Sequence, residues 1–444
     1  MAGRPSTSRE LDIWMNAERV GTWSVSPRVG HAFAYADEWL INPRRRPISL
    51  SLPLARGTDP FRGEIVEAWL DNLLPDSRDI RTRIARRYGV SPTQAFQLLE
   101  AIGRDCVGAV QLLPAGSSPP QVRRIEARPL TTAGIVALLD QTLSTVPLPL
   151  DEQYDELRIS LAGAQEKTAL LLQDGQWHLP LSTTPTTHIL KLPLGRVGAV
   201  QADFSTSVEN EWLCSRVLHA FGLPVAHCWI ESFGPHRVLV VERFDRQRFT
   251  AWWARLPQED FCQVLGVPPQ RKYESHGGPG IDAILDKLRG SQEPEADRQR
   301  FLMTQLIFWL LGAPDGHAKN FSIFLEPEGR FRLTPLYDVM SAWPVTGNGP
   351  NLFNRKKLKL AMAVCGKNRH DLIDRIQRRH WNETAKRNAM GPDFEKTIEK
   401  VLAAVPGVLE KVATELPPGF SAKVSVAILE GIQAQATRLA AMPA

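Results

Sequence analysis

In the run LGAPDGHAKNFSIF, residues 311 to 324, Asp315 and Asn320 stand five positions apart with His317 and Lys319 between them. An acid that takes a proton and an amide oxygen that ligates a hard cation are both parts that phosphoryl transfer requires. The preceding FLMTQLIFWLLG is apolar at the density of a buried helix, and the following FSIFL reads as a short buried strand. DGHAKN is therefore a loop fixed at both ends by core, the setting in which catalytic groups concentrate. The other parts are a lysine for the nucleotide's α- and β-phosphates, an acid to orient it, and a second metal carboxylate. Lys191 in HILKLP, Glu211 in ENEWLCSRVL and Asp338 in RLTPLYDVMSA supply them in chain order. An ammonium flanked by Ile189, Leu190 and Leu192 is costly to bury unless it reaches a cleft and an anionic partner. Mg²⁺ takes a few protein oxygens beside phosphate oxygens, and Asn320 with Asp338 leaves room for those.

The Asp-x-x-x-x-Asn spacing is that of a kinase catalytic loop, with two departures. Asp315 is followed by Gly-His, and Asp338 by Val339-Met340 where the usual triplet is Asp-Phe-Gly. LAGAQEKT carries a single glycine and is neither a Walker A motif nor a G-x-G-x-x-G loop. Ala162, Gly163 and Ala164 must then bring backbone N–H groups close to phosphate.

These residues need elements to hold them. The first ~50 positions alternate short β-like runs (LDIWM, RVGTWSV, HAFAYA, PISLSLPL) with Gly and Pro breaks and read as a small sheet. EIVEAWLDNLL, RTRIARRYG and PTQAFQLLEAIG have helical spacing, and GAVQLLP closes the region as a strand. AGSSPPQ, residues 115 to 121, is a linker, with a boundary there or around 150. From 155, a twisted antiparallel sheet with one helix laid on it fits the order of runs; after 255 the chain is mainly helical. The expected fold is α/β (α+β), a bilobal kinase-like arrangement of β-rich N-terminal lobe and all-helical C-terminal lobe. Its expected divisions are an N-terminal subdomain (1–150), a β-rich ATP-binding part (151–255) and a helical lobe (256–444).

Composition agrees with an ordinary globular chain of 444 residues, 43% hydrophobic and 23% charged. Five widely spaced cysteines with no C-x-x-C pair argue against a disulfide framework or a zinc site. The opening MAGRPSTSRELDIW lacks a secretory apolar core, so a cytoplasmic protein is expected. Net charge is only +5, but lysine and arginine crowd the stretch from Arg355 to Arg387, opposed by Asp371, Asp374 and Glu383 alone. Such a cluster is either a nucleic-acid footprint or a solvated face.

The chain resembles the HipA family of serine/threonine-protein kinases, the toxin half of bacterial HipA/HipB toxin–antitoxin pairs. The stretches that carry the likeness are LSLPLARG, DNLLPDS, LLEAIGRDCVGAVQLLP, RISLAGAQEKTALL, TPTTHILKLP, SVENEWLC, VERFDR, RLPQEDFCQ, KYESHGGPGI, GAPDGHAKNFSIF and LTPLYDV, in family order from about residue 45 to 340. The resemblance implies ATP- and Mg²⁺-dependent phosphorylation of a serine. It implies a phosphate loop of Ala162, Gly163, Ala164, Gln165, Glu166 and Lys167, with Lys191 as the ATP lysine. Glu242, Arg243 and Phe244 become the adenine hinge, Asp315 the base, and His317, Ala318, Lys319, Asn320, Tyr337 and Asp338 nucleotide contacts, with Asn320 and Asp338 on the metal. Ser160 matches a serine that family members autophosphorylate, which would make it a self-inactivating switch. The implied substrate is an aminoacyl-tRNA synthetase, glutamyl-tRNA synthetase in the family, whose modification causes growth arrest and persistence. The implied partners are a HipB-like helix-turn-helix antitoxin and operator DNA. Lys386 stands where a family DNA contact falls; Ala389 replaces a basic residue expected three positions later, and Arg387 is a neighbouring substitute. Two other functions use the same sequence differently. A small-molecule phosphotransferase would need the same catalytic loop, whereas a DNA-bound co-repressor would need none of its polar residues.

Overall fold

The computed structural model describes residues 9–144 and 159–444. The expected boundary near residue 150 lies outside them. The first sheet has five antiparallel strands, in the order Phe61–Arg62, Gly30–Tyr35, Glu18–Ser26, Arg9–Met15, Val110–Pro114. Helices Glu64–Asp71, Arg78–Tyr88 and Ala95–Ile102 contribute to a core that includes Leu11, Ile13, Trp23, Phe33, Trp69 and Leu99. PISLSLPL does not form a strand; only an isolated bridge joins Ser49 to Leu52. Prolines at 47 and 53 withhold ladder donors at both of its ends.

The second sheet has six antiparallel strands: Cys228–Phe233, His236–Glu242, His188–Lys191, Lys167–Gln173, Gln176–Pro180 and Ala127–Pro129. The last of these belongs by sequence to the expected first subdomain, yet it pairs with the second sheet, and helix Thr132–Leu143 follows it there. Ile135, Leu138 and Leu139 form one apolar stripe that requires cover, and Leu170, Trp177 and Leu179 provide it. By strand pairing, the first sheet closes with Val110–Pro114, and the second takes up the chain at Ala127.

Beyond residue 255 long helices dominate, among them Pro294–Leu311, Glu395–Thr414 and Ala422–Ala440, but this lobe is not all-helical. Gln258–Asp260, Ser322–Leu325 and Phe331–Leu333 form a three-stranded sheet, and Lys359–Cys365 pairs with Arg369–Leu372. That hairpin was hidden by the surrounding basic residues. LAMAVC, which follows Lys359, is buried on both faces, so it lacks the alternation that announces a strand. The five cysteines are free, and burial pushes the thiols of Cys106, Cys228 and Cys365 up to about 12, 11 and 11. Among the described residues no helix is long and apolar enough to cross a membrane.

Candidate active site

Strand His188–Lys191 lies between Lys167–Gln173 and His236–Glu242, with Lys191 opposite Lys167 on one side and Leu239 on the other. The buried Lys191 Nζ donates to Glu211 Oε1 at 2.6 Å and to Asp338 Oδ1 at 2.8 Å. Glu211 comes from helix Ser207–Ala220, where its other carboxylate oxygen has no partner. Burial opposes the Lys191 charge, but Asp338 and Glu211 outweigh it and hold the ammonium above the usual lysine range. Burial likewise works against the Asp338 charge, and Lys191 and Lys167 override it, holding that carboxyl below the usual carboxylate range. For Glu211 burial wins, and its carboxyl is raised.

Asp338 has φ 59°, the left-handed region that costs an L-residue roughly 1–2 kcal/mol. Its loop is tied down to hold it there. Asn210 and Ser341 exchange two hydrogen bonds of 2.8 Å, and the Ser341 hydroxyl donates to the Leu311 carbonyl at 2.6 Å.

Helix Pro294–Leu311 stops at Gly312, whose φ of 57° suits a helix end and where a Cβ would meet the Trp343 ring at 2.5 Å. The chain then turns into the loop that holds Asp315. Asn320 Nδ2 donates to the Asp315 carbonyl at 2.8 Å and to the Asp338 carbonyl at 3.3 Å, which leaves its side-chain oxygen to accept a ligand. The Tyr273 hydroxyl donates to Asp315 Oδ1. The Asp315 side chain remains 48% exposed, open to an incoming hydroxyl. His317 is buried with Nδ1 unpartnered, and burial pushes it down to about 4, so it is neutral at pH 7. Lys319 lines the same cleft and reaches the Asn72 carbonyl at 3.1 Å and Asp76 Oδ1 at 2.8 Å; Lys272 holds the other Asp76 oxygen at 2.7 Å.

In the phosphate loop, Gly163 has φ 107°, a backbone conformation that favours glycine. Lys167 is pushed down to about 8 by burial, with Asp338 opposing the shift and Lys191 adding to it. Ala162, Gly163, Ala164 and Lys167 line the same cleft as Lys191, Asp315, Asn320 and Asp338. Val107, Leu161, Ile189, Val241, Phe244 and Tyr337 add apolar lining to the cleft.

Three residues expected at the nucleotide, Gln165, Glu166 and Ala318, are not among those that line the cleft, and Arg243 lines it with its guanidinium engaged. Gln165 is turned inward to the Leu192 carbonyl at 2.6 Å, Glu166 pairs with Arg83, and Ala318 is wholly buried. The Arg243 guanidinium is bound by Asp245, Thr186 and the Cys106 carbonyl, so only its position in the hinge segment serves the cleft. Conversely, Asp76, Lys272, Tyr273 and Asp260 belong to this centre and were not singled out in the sequence. DNLLPDS, KYESHGGPGI and RLPQEDFCQ carried them as family stretches, but nothing local to those stretches reveals which side chain reaches the cleft.

Among the described residues no three His, Cys, Asp or Glu side chains are grouped to hold a metal by themselves. Asn320 and Asp338 offer two hard oxygens, enough only for a cation that also binds phosphate.

A lysine paired to a helix glutamate and to a metal-type carboxylate, across a cleft from an open aspartate and its asparagine, makes this a kinase site. The comparisons name the family. A model described as "HipA-like C-terminal domain" matches residues 159–409, and one described as "HipA N-terminal domain" matches residues 11–113. "Putative kinase Y4mE" of Sinorhizobium fredii is 37% identical over 362 residues, covering 80% of this chain and 83% of that one. "Serine/threonine-protein kinase toxin HipA" of Shewanella oneidensis is 28% identical over 332 residues, 72% of this chain and 70% of that one. In fold, a chain of the Shewanella oneidensis complex of HipA, HipB and operator DNA aligns with a TM-score of 0.78, 23% identity, and coverage of 97% and 98%. The protein belongs to the HipA kinase family.

Proposed function

We propose that the chain is the toxin of a type II toxin–antitoxin pair, a cytoplasmic kinase that moves the γ-phosphoryl group of ATP to a serine of an aminoacyl-tRNA synthetase, glutamyl-tRNA synthetase foremost. The observation that carries the reading is the Lys191 ammonium held at once by Glu211 and Asp338, because that pairing is the assembled state of a kinase phosphate clamp. The apolar lining of the cleft suits a purine, and its lysines suit phosphates. Asp315 accepts the serine proton as the serine oxygen bonds to phosphorus, and ADP departs with the electrons of the broken P–O bond. Asn320 and Asp338 would hold Mg²⁺, which would supply charge neutralisation on the phosphate oxygens.

The same reading makes Ser160 a self-inactivating phosphorylation site. It also gives the chain a HipB-like antitoxin, with which it represses at operator DNA through Lys386 and Arg387. The Shewanella complex, which holds HipB and operator DNA, supports both partners. Lys386 and Arg387 are exposed at the end of helix Arg378–Arg387, and Arg387 lies 3.3 Å from Asp282.

Labelled ATP, Mg²⁺ and whole-cell lysate provide the test. A labelled protein band supports the kinase toxin, a labelled metabolite a small-molecule phosphotransferase, and no label a co-repressor. Asp315→Asn and Asp338→Asn should each reduce transfer more than ~10²-fold and abolish growth arrest on overexpression. An Asp315→Asn protein as active and as toxic as the parent would remove the base from this scheme.

A further inference from the structure

We infer that Asp76, contributed by the N-terminal unit, is a positioning residue for phosphoryl transfer, a single residue whose carboxylate fixes the catalytic loop and whose backbone docks the phosphate loop. The inference rests on Asp315 as base, and three contacts carry it.

The first is the clamp. Asp76 Oδ2 accepts from Lys272 Nζ at 2.7 Å and Asp76 Oδ1 from Lys319 Nζ at 2.8 Å. The three side chains are largely buried, with exposures of 11%, 15% and 3%. Burial works against the Asp76 charge, yet Lys319 and Lys272 hold the carboxyl below its usual range, so it is ionised at neutral pH.

The second is what the two lysines are attached to. Lys272 precedes Tyr273, whose hydroxyl donates to Asp315 Oδ1, and Lys319 precedes Asn320, whose amide donates to the Asp315 carbonyl at 2.8 Å. The Ala318 N–H also donates to the Lys272 carbonyl at 3.3 Å, so the two segments touch. Asp76 thus grips the neighbours of both residues that orient the base.

The third is the main chain. The Asp76 N–H donates to the Gly163 carbonyl at 3.0 Å, and Pro75 pairs with Gly163 as an isolated parallel bridge. The phosphate loop is docked by the backbone of the residue whose side chain fixes the catalytic loop. Asp76 itself comes from outside the kinase core, since it lies between helices Glu64–Asp71 and Arg78–Tyr88 of the N-terminal unit.

Asp76→Asn separates the two links. It keeps the backbone contact to Gly163 but removes the charge that holds the lysines. Misplacing a reacting group by about 1 Å costs on the order of 10²-fold in rate. We therefore expect the full-length variant to lose about 10- to 100-fold in kcat for phosphorylation of lysate protein while its Kd for ATP stays within about 3-fold. Asp76→Glu, which restores the charge, should recover part of that loss. Parent, both variants and Asp315→Asn are compared by labelled transfer, ATP titration and thermal melting. A fully active Asp76→Asn beside an inactive Asp315→Asn overturns the inference alone. A fully active Asp315→Asn overturns the base assignment and the inference with it. If Asp76→Asn melts early or loses ATP binding in step with kcat, Asp76→Glu decides: recovery of kcat upholds the inference, and no recovery reduces Asp76 to a structural residue.

Discussion

Two arginine-rich regions of this protein use the same side chain to opposite ends. At the seam between the N-terminal unit and the hinge, Arg243, Arg246 and Arg255 converge on Asp105 and Asp245 with all five residues almost out of water. Between Arg355 and Arg387 most of the charges lie on the surface, in pairs such as Lys359 with Asp371 and Arg355 with Asp374, each about half exposed on the basic side, while Arg378 is mostly buried against Glu395. A buried ion pair need not stabilise relative to an apolar core, yet removal of one partner leaves an uncompensated charge and is severe, whereas an exposed pair is worth little. The buried cluster therefore acts as a fastener between units, and the surface stretch is free to meet a partner.

The fastener should fail sharply. Asp105 accepts from Arg246 Nη2 at 2.9 Å, Arg255 Nε at 3.0 Å and the Thr186 hydroxyl at 2.7 Å, and its own backbone pairs with Ile159 and receives the Ser160 N–H. Asp105→Ala removes the carboxylate shared by three buried guanidinium groups and leaves Arg255 with no acidic partner, so it should destabilise by about 3–5 kcal/mol, the largest effect expected of any substitution considered. Denaturant unfolding would measure it. A loss below about 1 kcal/mol would mean that the seam is wet in solution and the contrast with the basic stretch unfounded.

Beside the fastener lies Ser160, wholly buried, with its hydroxyl donating to the Leu73 carbonyl at 2.8 Å. A phosphoserine carries about −1.5 to −2 charges and can no longer donate there, so it has no place in this packing. Modification requires the phosphate loop to leave the seam, and once modified the loop should not return. Protein incubated with Mg-ATP is expected to gain one phosphate on Ser160 and lose ATP binding, while Ser160→Ala stays unmodified at that position. Mass spectrometry paired with ATP titration checks this. A phosphorylated Ser160 that still bound ATP normally would show that the seam opens without consequence.

How much of this could be read from the sequence follows the range of the interactions. Lys191, Glu211, Asp315, Asn320 and Asp338 were legible because each sits in a run whose apolar density fixes its element, and because their order is dictated by the chemistry. Strand His188–Lys191, helix Ser207–Ala220 and strand Ser322–Leu325 form where the periodicity puts them. Asp76 was not legible. Its partners lie 196 and 243 residues away, and a carboxylate in DNLLPDS looks the same whether it faces water or two lysines. Arg243 shows the converse. Its place in VERFDR suggested the hinge, but its guanidinium is turned to Asp245, two residues on, at 2.8 and 2.9 Å, and to the Thr186 hydroxyl and the Cys106 carbonyl, 57 and 137 residues earlier. The hairpin Lys359–Leu372 was lost for a local reason, because a strand buried on both faces has no alternation to detect.

The smallest effect should come from the surface stretch, and it reads out on a different axis. Lys386 and Arg387 are exposed on the last turn of helix Arg378–Arg387, and the Arg387–Asp282 pair, with 58% of the arginine exposed, contributes at most about 1 kcal/mol by itself. Replacing both with alanine should leave kinase activity unchanged and shift stability by about 0.5 kcal/mol or less. If these side chains neutralise DNA phosphates in the antitoxin complex, each releases counterions and adds about −0.9 to the slope of log affinity against log salt. The double variant should then flatten that slope by about 1.8, with the loss spread evenly over operator and unrelated sequences, because a phosphate contact carries no base information. Binding measured at four or five salt concentrations against both DNAs makes the comparison. An unchanged slope would assign the two residues to a merely solvated helix end. A loss confined to the operator would mean that one of them reads a base edge rather than a phosphate.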